Sequence, residues 1–286
     1  MKRITCTARV MFAVGLAAIM LLASAGASAE TTLERIRRTG ELTVGTEAAY
    51  PPFEFVKDGK IVGYGSDILA EVAKELGVKQ FNQLDLPWQG ILPGVLAGKF
   101  DFVATTVGIN EERAKRYAYT MPIADGAPYF LQRKDDGAKL ETGLNGKVVA
   151  TQLASSTEPI ARQLDAQLKA AGGSGFKELK LYTSFPETYV ALANGEVDWV
   201  LQGLPSLSVV VKEHPDTFKL GGPVPVTGLY TYLAWVARPE DKDLRDFISG
   251  VIRKMRDDGR LGALQKKWFG FEMKIPDSGY LPPGAV

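Results

Sequence analysis

Residues 105–117 read TTVGINEERAKRY, and Arg113 stands just past the point where small and β-branched residues give way to charge. A guanidinium is a planar fork of donors that matches a carboxylate at two points. On its own, EERAKR is also what a solvated helix start looks like, so the chemistry depends on what else converges there. A second anion-friendly stretch is Ser155, Ser156 and Thr157, ahead of the helical pattern STEPIARQLDAQLKAAGG. Free amides and hydroxyls at a helix start attract negative charge, although a plain N-cap needs the same residues. Glu47 in TEAAYPP either pairs with a cationic group of a ligand or caps its own turn. Trp88, between Pro87 and Gln89, and Tyr50, ahead of PPF, are candidate cleft walls. Core burial is the commoner fate of large aromatics, and Trp88 could also face a cation.

Catalytic patterns are absent by comparison. The sequence has one histidine, His214, in the turn-like KEHPDT, and no G-x-S-x-G or H-E-x-x-H stretch. No cluster at metal spacing occurs, so neither a metal nor a cofactor is expected. An enzyme reading would need Glu47 or Glu158 as a general acid. Glu158 is more simply a first-turn helix acid. With 34 basic against 33 acidic side chains, the chain lacks the basic excess that nucleic-acid binding requires.

The N-terminus reads as a cleavable export signal spanning 1–29. Lys2, Arg3 and Arg9 precede a charge-free apolar run, and Ala27-Ser28-Ala29 forms a small-x-small cleavage pattern ahead of Glu30. The run is short for a membrane span. The single cysteine, Cys6, leaves with it, so the mature chain has no disulfide or thiolate site.

The elements that must position these groups come in two copies. LAGKFDFVATT resembles LANGEVDWVLQ, each closing a helix at a glycine and passing through an aspartate into an apolar strand. Around the first lie the strand ELTVGTEA, a helix with Ile68, Leu69, Val72 and Leu76 on one face between Ser66 as cap and Gly77 as stop, and the helix GILPGVLAG. Around the second lie KVVATQL, a helix with Ile160, Leu164 and Leu168 in register, LKLYTS and PETYVALANG. Both copies read β-α-β-α-β, which predicts α/β lobes with open, mostly parallel sheets. GLYTYLAWVARP is a further strand. The tail from 241 to 270 is helical, with Leu244, Phe247, Val251 and Met255 on one face. Open parallel sheets bind ligands at their strand carboxyl ends. That rule selects Thr46, Glu47 and Tyr50, Trp88, Thr105, Thr106 and Gly108, Gln152 with Ser155, Ser156 and Thr157, Ser184, and Gln202 with Gly203.

With these motifs in order, the mature chain resembles the periplasmic solute-binding proteins of polar amino-acid ABC importers. LTVGTEAAYPPFEF, WQGILPGVLAGKFDFV, INEERAKRYAYTMP, LNGKVVATQLASST and DDGRLGALQKKWFG carry the resemblance. It implies a type II periplasmic binding protein: two Rossmann-like lobes, 30–125 plus 227–286 and 126–226, joined by a two-strand hinge. Such a protein is a periplasmic monomer without cofactor. It captures an amino acid or related small carboxylate between its lobes and delivers it to an inner-membrane ABC permease. By the same resemblance Arg113 forks onto the ligand carboxylate, Trp88 and Tyr50 sandwich the ligand, and Ser155, Ser156 and Thr157 face the anion. Gly203 stands where the family usually has the aspartate for the ligand amino group, Gly108 where it usually has a threonine, and Gln152 at the second lobe's basic or polar position. Two ligand classes stay open: a basic or substituted amino acid read by Glu47 and Trp88, and an organic acid or opine-like ligand without a free α-amino group. A dehydratase-like lyase of the same fold is the enzyme alternative.

Overall fold

In the computed structural model, which describes residues 30–286, residues 32–286 form one compact unit. The export signal, Cys6 and the cleavage pattern lie outside the described residues. Among the described residues no helix is long and apolar enough to cross a membrane.

The unit opens with helix α1 (Thr32–Thr39) and contains two sheets built on one plan. The first copy runs β1 (Thr43–Thr46), α2 (Tyr64–Leu76), β5 (Asn82–Asp85), α3 (Trp88–Leu96), β6 (Phe102–Gly108). Its parallel strands lie in the order β5-β1-β6. The second copy runs β10 (Val148–Gln152), α6 (Thr157–Ala170), β11 (Glu178–Tyr182), α7 (Phe185–Ala193), β12 (Trp199–Gly203). Its parallel strands lie in the order β11-β10-β12. The duplicated aspartate explains itself here. Asp101 precedes β6, and its carboxylate accepts the Thr43 amide at 3.0 Å. Asp198 precedes β12 and accepts the Val148 amide at 2.8 Å. Each one satisfies the first free amide of its neighbouring strand, a group that costs stability when buried unpaired.

Both copies are closed by an antiparallel strand from the other half of the chain. The strand β14 (Tyr232–Ala237) lies against β6, and short β7 (Ala118–Tyr119) and β8 (Ala124–Asp125) pair with β14. In the second sheet β9 (Pro128–Arg133) lies against β12 and β13 (Phe218–Pro223) against β9. The chain therefore crosses twice between sheets, at 125–128 and 223–232. The crossings are tied together where the Gly126 amide donates to Thr231 O at 2.8 Å and the Val224 amide to Pro128 O at 3.0 Å.

Helices cover both faces of each sheet, so the central strands are buried on both sides. All seven residues of β6 and all five of β12 are buried. One face of the first sheet packs Ile68, Leu69, Val72 and Leu76 of α2 against Leu244, Ile248, Val251 and Met255 of α9 (Lys242–Asp257). Phe247, placed by sequence on that face, is only partly buried. The other face packs Trp88, Ile91 and Val95 of α3.

Three local expectations change. Ser66 lies inside α2 rather than at its cap; Gly63 precedes the helix, and Gly77 ends it at φ 78 as predicted. The tail is two helices, because Gly259 turns left-handed at φ 85 before α10 (Arg260–Phe269). Between β1 and α2 the first lobe carries an inserted sheet of β2 (Ala49–Tyr50), β3 (Glu54–Lys57) and β4 (Lys60–Val62). Its hairpin turns on Asp58 and Gly59, both at positive φ. That is the two-residue turn an Asp-Gly pair favours. The remaining helices are α4 (Glu111–Ala114), α5 (Leu140–Gly143) and α8 (Leu204–Glu213).

Candidate functional site

The carboxyl ends of β1, β6, β10 and β12 face one another across a cleft. Its chamber is lined by Glu47, Tyr50, Trp88, Thr106 and Gly108 from the first sheet's side. From the second come Gln152, Ser155, Ser156, Thr157 and Gly203. Ten of the residues selected by sequence thus meet in one place, while Thr46, Thr105 and Ser184 do not line the chamber. Gly126, Phe185 and Leu233 complete the lining and were not selected. Phe185 follows directly on Ser184, already marked as a strand end, so a one-residue extension of the rule finds it. Gly126 lies in a crossing and Leu233 near the amino end of β14, and neither place carries a strand-end signal.

The aromatic floor runs across both lobes. Tyr50 stacks on Phe53 at 5.1 Å and 19°, and on Phe185 at 5.5 Å and 25°. Burial pushes the Tyr50 hydroxyl up to about 12, so it stays a neutral donor. Trp88 is both things the sequence allowed: the first residue of α3, 5% exposed, and a wall of the chamber.

Glu47 and Gln152 close the inner end. Gln152 Nε2 donates to the Glu47 carboxylate and to Thr183 O at 3.1 Å, joining β1 to β10 across the cleft. Glu47 is 4% exposed. Burial raises its pKa to about 7, opposed by the Gln152 hydrogen bond and reinforced by the nearby Asp85 charge. Glu47 does not cap its own turn; Asp85 does that work, accepting the Ala48 amide at 3.0 Å.

The hydroxyl turn is internally engaged. Ser155 Oγ lies 2.7 Å from Gln152 O and 2.9 Å from Thr157 Oγ1, which in turn lies 2.6 Å from Thr151 Oγ1. Thr106 differs: its Oγ1 is buried on the chamber wall with no partner. A buried polar atom of this kind is unusual in a native fold.

Arg113 and Gln202 do not line the chamber. Gln202 lies behind it, its Oε1 accepting the Tyr189 hydroxyl. Arg113 sits at the outer mouth, with Gln89, Arg116 and Ala154 around it. Its Nη1 donates to Gly108 O at 3.2 Å, its Nη2 to Ala154 O at 2.6 Å, and its guanidinium stands 5.5 Å from the Trp88 ring centroid. One hydrogen bond stays within the first lobe and one crosses to the second. Burial pulls the Arg113 pKa below its ordinary value. Glu158 is also at the mouth, accepting the Ala154 amide at 2.8 Å and paired with Arg162 at 2.7 Å. It is thereby occupied structurally. His214 is exposed at the end of α8. Among the described residues no group of acidic, histidine or cysteine side chains could hold a metal ion.

The model of the bacterial extracellular solute-binding proteins, family 3, matches residues 42–271. The chain is 29% identical over 248 residues to the L-cystine-binding protein TcyJ of Escherichia coli strain K12, covering 85% of this chain and 88% of that protein. Among solved structures it is similar to an ancestral arginine-binding protein bound to arginine. That match has a TM-score of 0.70 at 31% identity and covers 81% of this chain and 99% of the other. It is also similar to AncCDT-1, an ancestral amino acid-binding protein described as a precursor of cyclohexadienyl dehydratase. There the TM-score is 0.71 at 26% identity, over 84% of this chain and 99% of the other.

Proposed function

The chain belongs to the bacterial extracellular solute-binding proteins, family 3, and from that premise we propose how it works. It is the solute-binding component of an ABC importer for an amino acid or a related small solute, which it hands to a membrane permease. The observation that carries this reading is the single chamber assembled from strand ends of both sheets. A solute held there touches both lobes at once, so its binding energy favours the closed form. The lobes are 30–125 plus 227–286 and 126–226, hinged at the paired crossings, and the protein acts as a periplasmic monomer after loss of residues 1–29.

The residues in and around the chamber divide by chemistry. Tyr50 and Trp88 contact the apolar faces of the solute. Thr106, Ser155, Ser156 and Thr157 supply hydroxyls for a carboxylate, and Arg113 presents its fork at the mouth. Glu47 and Gln152 read the distal polar group. Gly108 and Gly203 contribute backbone only, and Gln202 holds the floor from behind through Tyr189. Because Glu47 is a buried carboxyl on this wall, a cationic or hydrogen-bonding group on the ligand suits the inner end, favouring a substituted or basic amino acid over a plain organic acid.

The test is to unfold the purified protein and identify the released small molecule by mass spectrometry. The same compound is then titrated into refolded protein by calorimetry. One-to-one binding with the ligand recovered unchanged is expected. A second reading, a lyase, has one observation in its favour: a buried carboxyl with a pKa near 7 in a cleft is what a general acid needs. Recovery of a dehydrated product, with turnover lost in Glu47→Gln, would favour it and overturn pure capture.

A further inference from the structure

Gly108 ends β6, and its backbone does not require a glycine. Its φ lies outside the left-handed region, and a strand gains from a side chain where one fits. A glycine in a strand often marks a close approach from outside the sheet. Here the approach comes across the cleft. A Cβ on Gly108 would run into the Ser156 hydroxyl and lie 2.5 Å from Ser156 Cβ, while Leu233 would be an ordinary neighbour at 3.8 Å. Ser156 stands in the turn ahead of α6, on the second sheet's side. Its side chain therefore fills the space that a side chain of residue 108 would take on the first. Both residues line the chamber.

Both partners are held in place. Gly108 O accepts from the Tyr119 hydroxyl at 3.0 Å and from Arg113 Nη1 at 3.2 Å, and Gly108 is paired in register with Leu233 of β14. Opposite, the turn is fixed by its own hydroxyls: Ser155 Oγ donates to Gln152 O, and Thr157 Oγ1 is bonded to Thr151 Oγ1. The Ser156 hydroxyl takes no part in that turn and does not cap α6. It reaches Gly108 instead of the amides of its own helix. The approach is therefore a contact between two rigid elements on opposite sides of the cleft.

We propose that Gly108 and Ser156 form one size-matched pair that sets how far the lobes close on a solute. The first lobe gives up its side chain at this wall, and the second lobe delivers a hydroxyl to the same spot only on closing. This rests on solute capture between the lobes and names a contact that couples capture to closure. Added bulk at either position meets the other residue only when the lobes approach, so it weakens the closed form and spares the open one. Gly45 is the contrast, because its Cβ would meet Phe100 of the same lobe whether the cleft is open or closed.

The test uses the mature full-length chain stripped of bound solute by unfolding and refolding. The probe is the compound so released, or each standard amino acid in turn where nothing is released. Calorimetry reads affinity, small-angle scattering reads closure at saturation, and thermal unfolding without probe reads stability. Overpacking a tight contact weakens the closed form by roughly 5- to 150-fold. Gly108→Ala should lose affinity in that range, while its unfolding midpoint without probe stays close to that of wild type. Removing the Ser156 side chain frees the space. In a Ser156→Gly background the same Gly108→Ala change should cost less than about threefold, a coupling expected of residues in contact. Gly108→Ser combined with Ser156→Gly moves the hydroxyl to the first lobe and should recover most of the affinity that Ser156→Gly loses. Should Gly108→Ala fold poorly, Ser156→Val adds the bulk from the half-buried turn and should show the same loss. Equal losses with and without the Ser156 side chain, a Gly108→Ala affinity within about threefold of wild type, or a silent Ser156→Val each overturn the pair and leave solute capture standing. If nothing is released and no amino acid binds wild type, solute capture falls and the pair with it.

Discussion

Arg113→Ala separates a working guanidinium from a surface one. In the structure this side chain meets Gly108 O, the Trp88 ring and Ala154 O. The first two lie within one lobe and survive if the lobes part. Only the bond to Ala154 O spans the cleft, so only that bond distinguishes closed from open. A hydrogen bond from a charged donor contributes about 1.5–3 kcal/mol. Its loss from the closed form alone translates to roughly 10- to 150-fold in the apparent dissociation constant. The loss grows further if the ligand carboxylate takes the place of the Ala154 carbonyl. Folding stability should move little, for two reasons. Gly108 O keeps the Tyr119 hydroxyl at 3.0 Å, and Ala154 is exposed, so its carbonyl can turn to water.

Two companions make the measurement specific. Arg113→Lys keeps the charge but cannot span Gly108 O and Ala154 O with one ammonium, so it should lie between wild type and alanine. Arg116 is exposed, and its ion pair with Glu112 at 3.7 Å is exposed on both sides; such pairs contribute little, so Arg116→Ala should be silent. The assay is calorimetry with the ligand recovered from the protein, alongside thermal unfolding without ligand. An Arg113→Ala affinity within threefold of wild type, or an equal loss in Arg116→Ala, refutes the reasoning about the cleft-spanning bond.

Glu47, Gly45 and the export signal each carry a further expectation. Glu47 is raised from 4.5 to about 7, so its contribution to stability is complete below about pH 4.5 and is lost as pH rises through 7. The unfolding midpoint of Glu47→Gln should therefore gain on wild type between pH 5 and 8, by up to on the order of 3 kcal/mol; a constant difference means the carboxyl is solvated. A Cβ on Gly45 would lie 2.5 Å from the Phe100 ring, so Gly45→Ala should cost about 1–3 kcal/mol in denaturant unfolding with ligand affinity unchanged. The periplasmic protein should begin at or near Glu30 by N-terminal sequencing; a membrane-retained chain starting at Met1 contradicts the export signal.

The duplicated β-α-β-α-β plan was legible because it is written in periodicity, which survives in a single sequence. Ile68, Leu69, Val72 and Leu76 mark a face whatever packs on it, and the two strand-preceding aspartates mark the same joint twice. Ser66 misleads because a hydroxyl near a helix start resembles a cap, while the chain begins the helix at Tyr64 after Gly63, whose φ is positive at 133. The inserted hairpin at Asp58 and Gly59 has its signal in VKDGKIV, but it is short and stands between a strand and a helix of the main plan. The break at Gly259 was likewise present as a glycine and hidden by the continuous helical pattern on both sides.

The site was legible to the degree that it depends on strand ends, and no further. Strand-end reasoning places Glu47, Trp88, Gly108, Gln152 and Gly203 at one cleft because topology alone brings them there. It says nothing about which way a long side chain turns. Arg113 follows a strand end yet reaches outward to the mouth, because Asn110 caps the short helix α4 and holds the Arg113 amide at 2.8 Å. Nor does it reveal what a missing side chain achieves. Gly108 and Gly203 read from sequence as lost contacts; in three dimensions a Cβ on Gly108 would run into the Ser156 side chain, and one on Gly203 would lie 3.3 Å from Gly126 O. Loss of a side chain at such a wall and gain of close packing there are one physical change: Ser156 packs directly on Gly108, and Gly126, arriving through a crossing, packs on Gly203.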